Sequence, residues 1–513
     1  MFAAFTLRSK LALTVMVCLF AHVMSPAVMA ETRLSLDDAI DIALEQGYDM
    51  KSNLLSLIQA EQNRLAAKYR FRTNVDMSLY TPNWEENMTE VQVANSLPVY
   101  NSLGSMRYQW QMNVNQPLPT DGTITLRSRL YQSKESNYFA ETDETLKRRD
   151  FLSSLSIRLR QPLFTYNRIK TNLKRAELNY ERSSLQLKRN RLDVVYSVTN
   201  GFYSLYNATR RLEIAQETLD QQQLQYDTAK SKFDAGLIPE VEALRLEVEL
   251  ANARSDLMEA QAEIETQKET FKKLIGLELD DDIGAETDIE YTHLNVDLEK
   301  AVRLGLANRT EIRESEIDVA LSEINLTQVD ADREISAELN AYYDFTGRSD
   351  SDLAYNTGTA DLFNSSWDDL ERRPANRGVT FTVDIPIWDW GVNKAEVESA
   401  KASLRRNELQ VEEERKDIVN SVKEAVRQVK TAESRLQVLE RSQEVAQKTY
   451  DISLERFSNG VITSLDLAQD NRSLSSAKLQ YLSAYISYKL AVADLKRKTL
   501  YDFETDKPLY GEQ

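Results

Sequence analysis

The stretch YDTAKSKFDAGLIPEVEALRLEVELANARSDLMEA, residues 226–260, decides the fold because the chain contains it twice. The second copy, YDISLERFSNGVITSLDLAQDNRSLSSAKLQYLSA, covers residues 450–484. Eight positions are identical at a constant offset of 224 residues: Tyr226, Asp227, Phe233, Gly236, Ile238, Leu250, Ala253 and Ala260 match Tyr450, Asp451, Phe457, Gly460, Ile462, Leu474, Ala477 and Ala484. Each copy predicts a long helix, a turn at one glycine with a positive φ, and a second long helix.

The same offset continues upstream without a gap, as Pro162 matches Pro386 and Lys170 matches Lys394. Loops tolerate insertions, so an ungapped match predicts helices of equal length in an internal duplication. The pattern is helical over residues 167–235 and 393–459, which at 1.5 Å per residue gives roughly 100 Å for each helix. Within the second helix Val419, Val422, Val426, Val429 and Leu436 follow coiled-coil spacing. Helices of this length must pack lengthwise against others.

Residues 34–71 and 295–332 predict one further helix in each half, at an offset of 262 residues. The change of offset from 262 to 224 means that the first half carries 38 additional residues, which lie between about residues 71 and 162. This region alternates apolar and polar residues and therefore predicts strands.

Strand patterns occur at residues 75–79 and 155–159 in the first half and at 337–341 and 379–383 in the second. The additional residues hold two more such runs, 108–114 and 124–130, separated by the turn sequence Pro119-Thr120-Asp121-Gly122. They predict a hairpin whose flanking loops are residues 82–104 and 134–150. The pattern leaves open whether each chain gives six strands to one sheet or four, with the hairpin lying outside it.

Residues 1–30 predict a secretory signal peptide, with Arg8 and Lys10 before the apolar run Leu11–Val23 and a small-residue cleavage site at Val28-Met29-Ala30. The one cysteine, Cys18, lies within it, so the mature chain has neither disulfide nor thiol chemistry. The formal net charge of −18 becomes −20 without residues 1–30. Such an acidic chain argues against nucleic acid as a partner.

No catalytic constellation is present. His293 is the one histidine outside residues 1–30, so thiol, zinc-cluster and triad chemistry lack their parts, and no Gly-rich phosphate loop is found. Asp280, Asp281 and Asp282 do not have calcium-loop spacing. We therefore predict no enzyme activity, no metal site and no cofactor.

These patterns predict a signal peptide at residues 1–30, a first structural repeat at 31–276 with strands at about 73–163, and an acidic connector at 277–294. They further predict a second structural repeat at 295–500 with strands at about 335–388, and a C-terminal tail at 501–513.

The chain combines four predicted features: secretion, a mature part without cysteine, strands with one apolar face, and helices about 100 Å long. Strands survive in lipid as a closed barrel, and too few strands are present for one chain to close it. The chain resembles the TolC family of outer-membrane efflux channels. The resemblance covers residues 34–500 and rests on the repeated helices, the Phe-x-x-Gly turns, and Gln161-Pro162-Leu163-Phe164 with Ile385-Pro386-Ile387-Trp388.

The resemblance implies a mainly α fold with antiparallel β structure. Duplicated long helical hairpins would form a periplasmic tunnel, and the strands would contribute to a shared trimeric β-barrel in outer-membrane lipid. It further implies a homotrimer in a tripartite efflux or type I secretion system. The partners would be a periplasmic adaptor (membrane fusion) protein and an inner-membrane pump or ABC exporter.

The resemblance also assigns roles to residues at the two turns. The tips that dock the adaptor would be Phe233, Gly236, Ile238, Phe457, Gly460 and Ile462. The periplasmic constriction would be lined by Glu242 and Asp466, six residues after each glycine, and by Asp470. Two positions depart from the family pattern, because Ile462 occupies the place of a basic gate residue and Gln469 that of a second carboxylate.

The sequence also permits other interpretations of the turn residues, of three tryptophans and of the whole chain. The phenylalanines and glycines of the turns are equally consistent with plain packing of a helical hairpin, and the two carboxylates with solvated helix faces. Trp84, Trp110 and Trp367 fit an aromatic girdle or ordinary packing. For the whole chain, the alternative is a secreted coiled-coil scaffold, which would have no use for alternating strands.

Overall fold

The computed structural model describes residues 32–94, 96–286, 291–332, 334–350 and 356–509. The predicted signal peptide and the last four residues of the predicted tail lie outside the described residues. The described chain divides into two compact units. The helical unit contains the described parts of Met1–Met50, Val194–His293 and Gln428–Asp494, and the sheet unit those of Lys51–Asp193, Leu294–Arg427 and Leu495–Gln513. Each unit contains residues from both halves of the repeat.

The secondary structure follows the chain in this order: β1 Thr32–Leu34, α1 Leu36–Gln46, α2 Tyr48–Tyr69, β2 Asn74–Val91, β3 Val99–Pro117, β4 Thr123–Phe139, β5 Glu144–Leu163, α3 Arg168–Asp234, α4 Glu240–Ile275, β6 Ile283–Ala285, α5 Leu298–Asn308, α6 Glu311–Ala331, β7 Ser336–Arg348, α7 Thr359–Arg372, β8 Asn376–Asp384, α8 Val392–Ser458, α9 Ser464–Thr499, β9 Tyr501–Asp502 and β10 Lys507–Pro508.

The four longest helices occur as two matched pairs. Helices α3 and α8 contain 67 residues each, and α4 and α9 contain 36 each. These equal lengths agree with the constant offset of the repeat, and the bounds of α3 and α8 lie within one residue of those predicted. The predicted coiled-coil stripe of α8 is buried at Val422, Val426, Val429 and Leu436.

The single helix predicted over residues 34–71 is wrong, because the chain forms two helices that meet at Gly47. Gly47 has an extended ψ of 136°, and a Cβ there would lie 2.3 Å from the carbonyl oxygen of Ala43, so the backbone turns where no side chain fits. The copy is also split, into α5 and α6 at Arg309 and Thr310. The predicted connector contains β6, which pairs in parallel with β1.

The core of the helical unit is rich in aromatic residues from α3, α4 and α9. Phe202 and Phe271 meet edge to face with centroids 6.2 Å apart, and Tyr203 meets Tyr485 at 6.3 Å. Gly201 permits this approach, since a Cβ on it would lie 3.0 Å from the Phe271 ring. Edge-to-face pairs of buried rings add to the burial energy and hold the helices at fixed distances.

The sheet unit contains one six-stranded sheet in the order β2-β3-β4-β5-β7-β8, and every neighbouring pair is antiparallel. The sequence pattern leaves open whether the hairpin of the additional residues belongs to the sheet. This hairpin is β3–β4, and both of its strands lie within the sheet. Its turn is the one predicted, since the Leu118 N–H donates to the Gly122 carbonyl at 2.8 Å and Asp121 has a φ of +67°.

The predicted loops at residues 82–104 and 134–150 are wrong, because strands occupy most of both ranges. Strands β2 and β3 remain paired as far as Val91 and Val99. In the outer part of this hairpin Glu86, Glu90, Ser102 and Gly104 interrupt the apolar face, so the alternation used to recognise strands is lost before the strands end.

The region predicted as strands at about residues 335–388 also contains helix α7, which is a correction to that prediction. Helix α7 packs on β5 and β7 through its fully buried Ser366, whose hydroxyl lies 2.9 Å from the Ser153 hydroxyl and 3.1 Å from the Gly347 carbonyl. The rings of Phe363 and Phe151 meet edge to face at 5.5 Å.

Candidate functional site

The two turns that join the long helices have the same backbone geometry. Gly236 and Gly460 have φ values of +71° and +74°, as the repeat predicts. The residue after each glycine donates its N–H to a carbonyl five residues earlier, Leu237 to Lys232 at 2.8 Å and Val461 to Arg456 at 2.9 Å. This bond closes the end of a helix in the Schellman manner. The paired turns form the candidate site, hereafter the hairpin tips.

A buried apolar cluster supports the hairpin tips from within. Its buried members are Ala229, Leu246, Tyr450, Phe457, Leu467, Ala468 and Leu474, and Tyr226, Ile238, Ala446, Leu454 and Ile462 pack against it. Of the predicted tip residues, Phe457 is 4% exposed and belongs to the cluster, whereas its equivalent Phe233 is 38% exposed. The repeat therefore places identical residues in different environments.

A lysine of the first hairpin binds the end of the long helix of the second. The Lys232 ammonium donates to the Phe457 carbonyl at 2.6 Å and lies 4.5 Å from the centroid of the Phe457 ring. It also lies 3.3 Å from the Ser458 carbonyl. These carbonyls end helix α8, where the helix dipole and unpaired carbonyls favour a cation.

The most exposed apolar side chains of the hairpin tips were not predicted. Leu237 is 73% exposed and Val461 is 62% exposed, each directly after its glycine. The predicted Ile238 and Ile462 instead turn partly inward against the cluster. An aliphatic residue after the turn glycine in both copies was the sequence signal for these two positions.

Glu242, predicted to line the constriction, is held by the neighbouring hairpin. Its carboxylate accepts a hydrogen bond from the Ser464 hydroxyl and a second from the Ser464 N–H at 3.3 Å. Arg245 lies 3.5 Å from the other carboxylate oxygen. Because Ser464 begins α9, Glu242 supplies a negative charge to the N-terminus of that helix.

Asp466 and Asp470 also have hydroxyl partners nearby. The Thr463 N–H donates to Asp466 at 3.0 Å while the Asp466 N–H donates to the Thr463 hydroxyl at 3.3 Å, which is a capping box. The hydrogen bonds from Thr463 lower the pKa of the exposed Asp466 carboxyl. Asp470 accepts from the Ser453 hydroxyl at 2.5 Å. Glu242 and Asp466 thus bind neighbouring residues at the start of α9, Ser464 and Thr463, and Asp470 lies one turn further along the helix.

Three amide side chains near the hairpin tips are buried, although the sequence pattern does not indicate it. Gln222, Gln225 and Asn471 are 3%, 1% and 0% exposed. Gln225 donates to the Tyr450 hydroxyl at 3.3 Å, whereas neither polar atom of Asn471 has a hydrogen-bond partner. Unpaired buried polar atoms reduce the stability of the packing around them.

The described residues contain no group of three or more His, Cys, Asp or Glu side chains that could hold a metal ion. His293 lies 2.5 Å from the Glu433 carboxylate. None of the described helices combines the length and the hydropathy that a membrane-spanning helix requires.

A protein-family model described as outer membrane efflux protein matches residues 136–277 and 301–499. No curated protein sequence matches the chain.

The fold is similar to those of solved outer-membrane channels at low sequence identity. The CmeC channel of Campylobacter jejuni has a TM-score of 0.64 and 14% identity, over 93% of this chain and 87% of that chain. VceC of Vibrio cholerae has a TM-score of 0.62 and 14% identity, over 90% and 95%. The open state of MtrE from Neisseria gonorrhoeae has a TM-score of 0.62 and 16% identity, over 94% of both chains.

Proposed function

Because the chain belongs to the outer membrane efflux protein family, we propose that three copies form one channel that exports solutes through the outer membrane. The long helices would form a tunnel in the periplasm and the strands a shared barrel in the lipid. The channel would work in a tripartite efflux or type I secretion system, with a periplasmic adaptor and an inner-membrane pump or ABC exporter.

The observation that carries this proposal is the single apolar face of the six-stranded sheet. Strand pairing aligns Val75, Val114, Leu126, Ile157 and Tyr343 on that face. One residue further along each strand, the opposite face is polar. A sheet of this kind can face lipid on one side and water on the other, as the wall of a barrel requires. A secreted coiled-coil scaffold would have no need of it.

Aromatic side chains in the middle of the long strands and on helix α7 fit the membrane boundary. Trp84 is 63% exposed and Trp110 aligns with Leu79 on the same apolar face. Trp367 is 45% exposed on α7, which covers the outer part of β5 and β7. Their amphipathic rings would form the aromatic girdle of the outer interface.

The hairpin tips would dock the adaptor. The positions supporting this role are the turn residues Phe233, Gly236, Gly460 and the exposed Leu237 and Val461. Ile238, Ile462 and Phe457 would act from beneath by fixing the turns on their apolar cluster. Two exposed aliphatic side chains on rigid turns offer an adaptor a small apolar anchor surrounded by polar residues.

Glu242, Asp466 and Asp470 would give the inner mouth its charge. In three copies they would bring nine carboxylates near one axis and favour cations there. Because Glu242 and Asp466 also hold the start of α9, the same groups would couple the charge of the mouth to the geometry of the hairpin tips.

The test is reconstitution of the purified protein, freed of residues 1–30, into planar bilayers in potassium chloride, with its mass measured in detergent. The proposal expects a mass of three chains and discrete single-channel currents. A monomer that forms no channel would contradict it and favour the scaffold.

A further inference from the structure

The β3–β4 hairpin continues both faces of the sheet. Its apolar face carries Trp110, Met112 and Val114 on β3, aligned with Leu130, Ser128 and Leu126 on β4. These residues align in turn with Leu79, Met77 and Val75 on β2 and with Ser153, Leu155 and Ile157 on β5. Each of the four strands contributes apolar side chains to this face, with Ser128 and Ser153 as the polar exceptions, so the hairpin has the chemistry of a lipid-facing wall segment.

The polar face of the hairpin is joined to its neighbour by side-chain hydrogen bonds. The Asn113 amide donates to Asp76 on β2 at 2.7 Å, and the Arg127 guanidinium on β4 donates to the Asn113 side-chain oxygen at 2.9 Å. The Thr125 hydroxyl donates to the side-chain oxygen of Asn115 at 2.9 Å. These bonds cross three adjacent strands, which fixes the hairpin in the sheet.

The two edges of the sheet, β2 and β8, have no paired neighbour among the described residues. Their apolar side chains are well exposed, with Met77 at 66%, Leu79 at 64%, Val379 at 73% and Phe381 at 56%. Since six antiparallel strands alternate in direction, β2 and β8 run oppositely. The β8 edge of one copy can therefore pair in antiparallel fashion with the β2 edge of the next, and repetition of this contact closes a ring.

We infer that the β3–β4 hairpin is part of the pore wall, so that three copies build an eighteen-stranded barrel that is wider, and more favourable to anions, than a twelve-stranded barrel without the hairpin, while the inner mouth of the same channel favours cations. This inference rests on the trimer of the proposed function. With strands 4.8 Å apart and tilted by about 40°, eighteen strands give a backbone diameter of about 36 Å, against about 24 Å for twelve.

The hairpin also changes the charge of the pore. On its polar face it carries Arg107, Arg127 and Arg129, with Glu135 as the one acidic residue. Among the described residues none of these three guanidiniums forms an ion pair, and the Arg129 Nε has no hydrogen-bond partner. By contrast, Arg158 and Arg160 on β5 pair with Asp344 and Glu338 on β7. Three copies of the hairpin thus add nine arginines and three glutamates to the polar face, a net charge of 9 − 3 = +6, which makes the lumen more favourable to anions than it would be without the hairpin.

The test uses disulfide cross-linking between copies, because the chain without residues 1–30 has no cysteine. Thr380→Cys or Thr382→Cys on β8 is combined with a cysteine at each polar-face position of β2 in turn. A matched series combines the same β8 cysteines with polar-face positions of β4, including Thr123 and Thr125. The single-cysteine variants are controls, and the mass of each protein in detergent is measured separately.

The inference expects oxidation to link β8 to β2, giving covalent dimers and trimers, with none from the β4 series. Cross-links between β8 and β4 would overturn it, because they place β2 and β3 outside a twelve-stranded wall. A trimeric protein without β8–β2 cross-links at any register would also overturn it. A protein that is not trimeric contradicts the proposed function instead, and the mass distinguishes this failure from the other two.

The effect of the three hairpin arginines on ion selectivity is measured separately, by the reversal potential. Replacing Arg107, Arg127 and Arg129 together by Gln should shift the reversal potential in a salt gradient toward cation selectivity. The matched control, Arg158→Gln with Asp344→Asn, removes a compensated pair on the same face and should leave the potential unchanged. Equal potentials for the wild-type and the triple variant would overturn the anionic part of the inference.

Discussion

The Lys232 ammonium lies 2.6 Å from the Phe457 carbonyl oxygen and 4.5 Å from the centroid of the Phe457 ring. The first hairpin therefore closes the C-terminus of the long helix of the second. The equivalent of Lys232 in the repeat is Arg456, for which no such contact with the first hairpin is described. The contact between Lys232 and Phe457 is therefore asymmetric with respect to the repeat, and it is called the latch of the hairpin tips below.

Replacing Lys232 by Met keeps the aliphatic stem and removes the charged donor. A hydrogen bond from a charged group contributes about 1.5–3 kcal/mol, which partial exposure here reduces to about 1 kcal/mol. Hydrogen exchange at the Gly460 and Val461 amides should therefore accelerate by roughly fivefold to tenfold. Arg456→Met is the matched control and should leave these amides unchanged. Equal exchange in both variants would show that the latch does not hold the turn.

The turn glycines should be sensitive to substitution through the backbone alone. A Cβ at Gly236 or Gly460 would meet no atom within 4 Å, so Ala there costs only the positive φ, about 1–2 kcal/mol. Gly276→Ala should cost more, because its φ is +83° and a Cβ would lie 2.6 Å from the Gln46 carbonyl oxygen. Thermal unfolding of the three variants measures the order. A Gly276→Ala protein as stable as Gly236→Ala would contradict it.

The capping box at the start of α9 should depend on pH. Since the folded state lowers the pKa of the Asp466 carboxyl, its stabilising contribution is complete above the unfolded value of about 3.9. The contribution is lost as the pH falls through the lowered folded value. Hydrogen exchange at the Leu467 amide, compared between about pH 2 and pH 5, should report this loss. In Asp466→Asn the additional pH dependence should vanish; if it persists, another group titrates there.

The acidic residues at the inner mouth should make it cation-selective. In planar bilayers the double variant Glu242→Gln, Asp466→Asn should lose cation selectivity and show weaker block by divalent cations, because six charges of the trimer are removed. Glu240→Gln serves as the control, because Glu240 lies on the first turn of α4 together with Glu242. Unchanged selectivity and block in a protein that is still trimeric would mean that these carboxylates serve only as helix caps.

The repeat made much of the fold predictable. Equal spacing between the two copies and a single glycine at each turn determine the long helices and their ends, because a glycine with a positive φ closes a helix wherever it occurs. The strands were found where one face is apolar. The alternation does not predict them beyond Tyr80, where Glu86 and Glu90 alternate with Trp84 and Met88 on the apolar face and a register shift follows Tyr80.

Other features depend on tertiary contacts that no local pattern encodes. Strands β1 and β6 contain three residues each and pair across about 250 residues of sequence. Helix α7 is short and lies in a region that reads as strands. At the hairpin tips the repeat predicts equivalent roles, yet Phe457 is buried while Phe233 is exposed, and Glu242 caps the opposite hairpin while Asp466 caps its own. Such asymmetry arises only when the two copies pack against each other.

The central claim, that this sheet is the wall of a water-filled pore, is tested most directly by thiol labelling on adjacent residues of β4. Thr125→Cys lies on the polar face and Leu126→Cys on the apolar face of the same strand. A charged, water-soluble thiosulfonate should reduce the single-channel current of Thr125→Cys and leave that of Leu126→Cys unchanged, because only residue 125 faces the water of the pore. Block of Leu126→Cys alone, or of neither variant in an active channel, would contradict it.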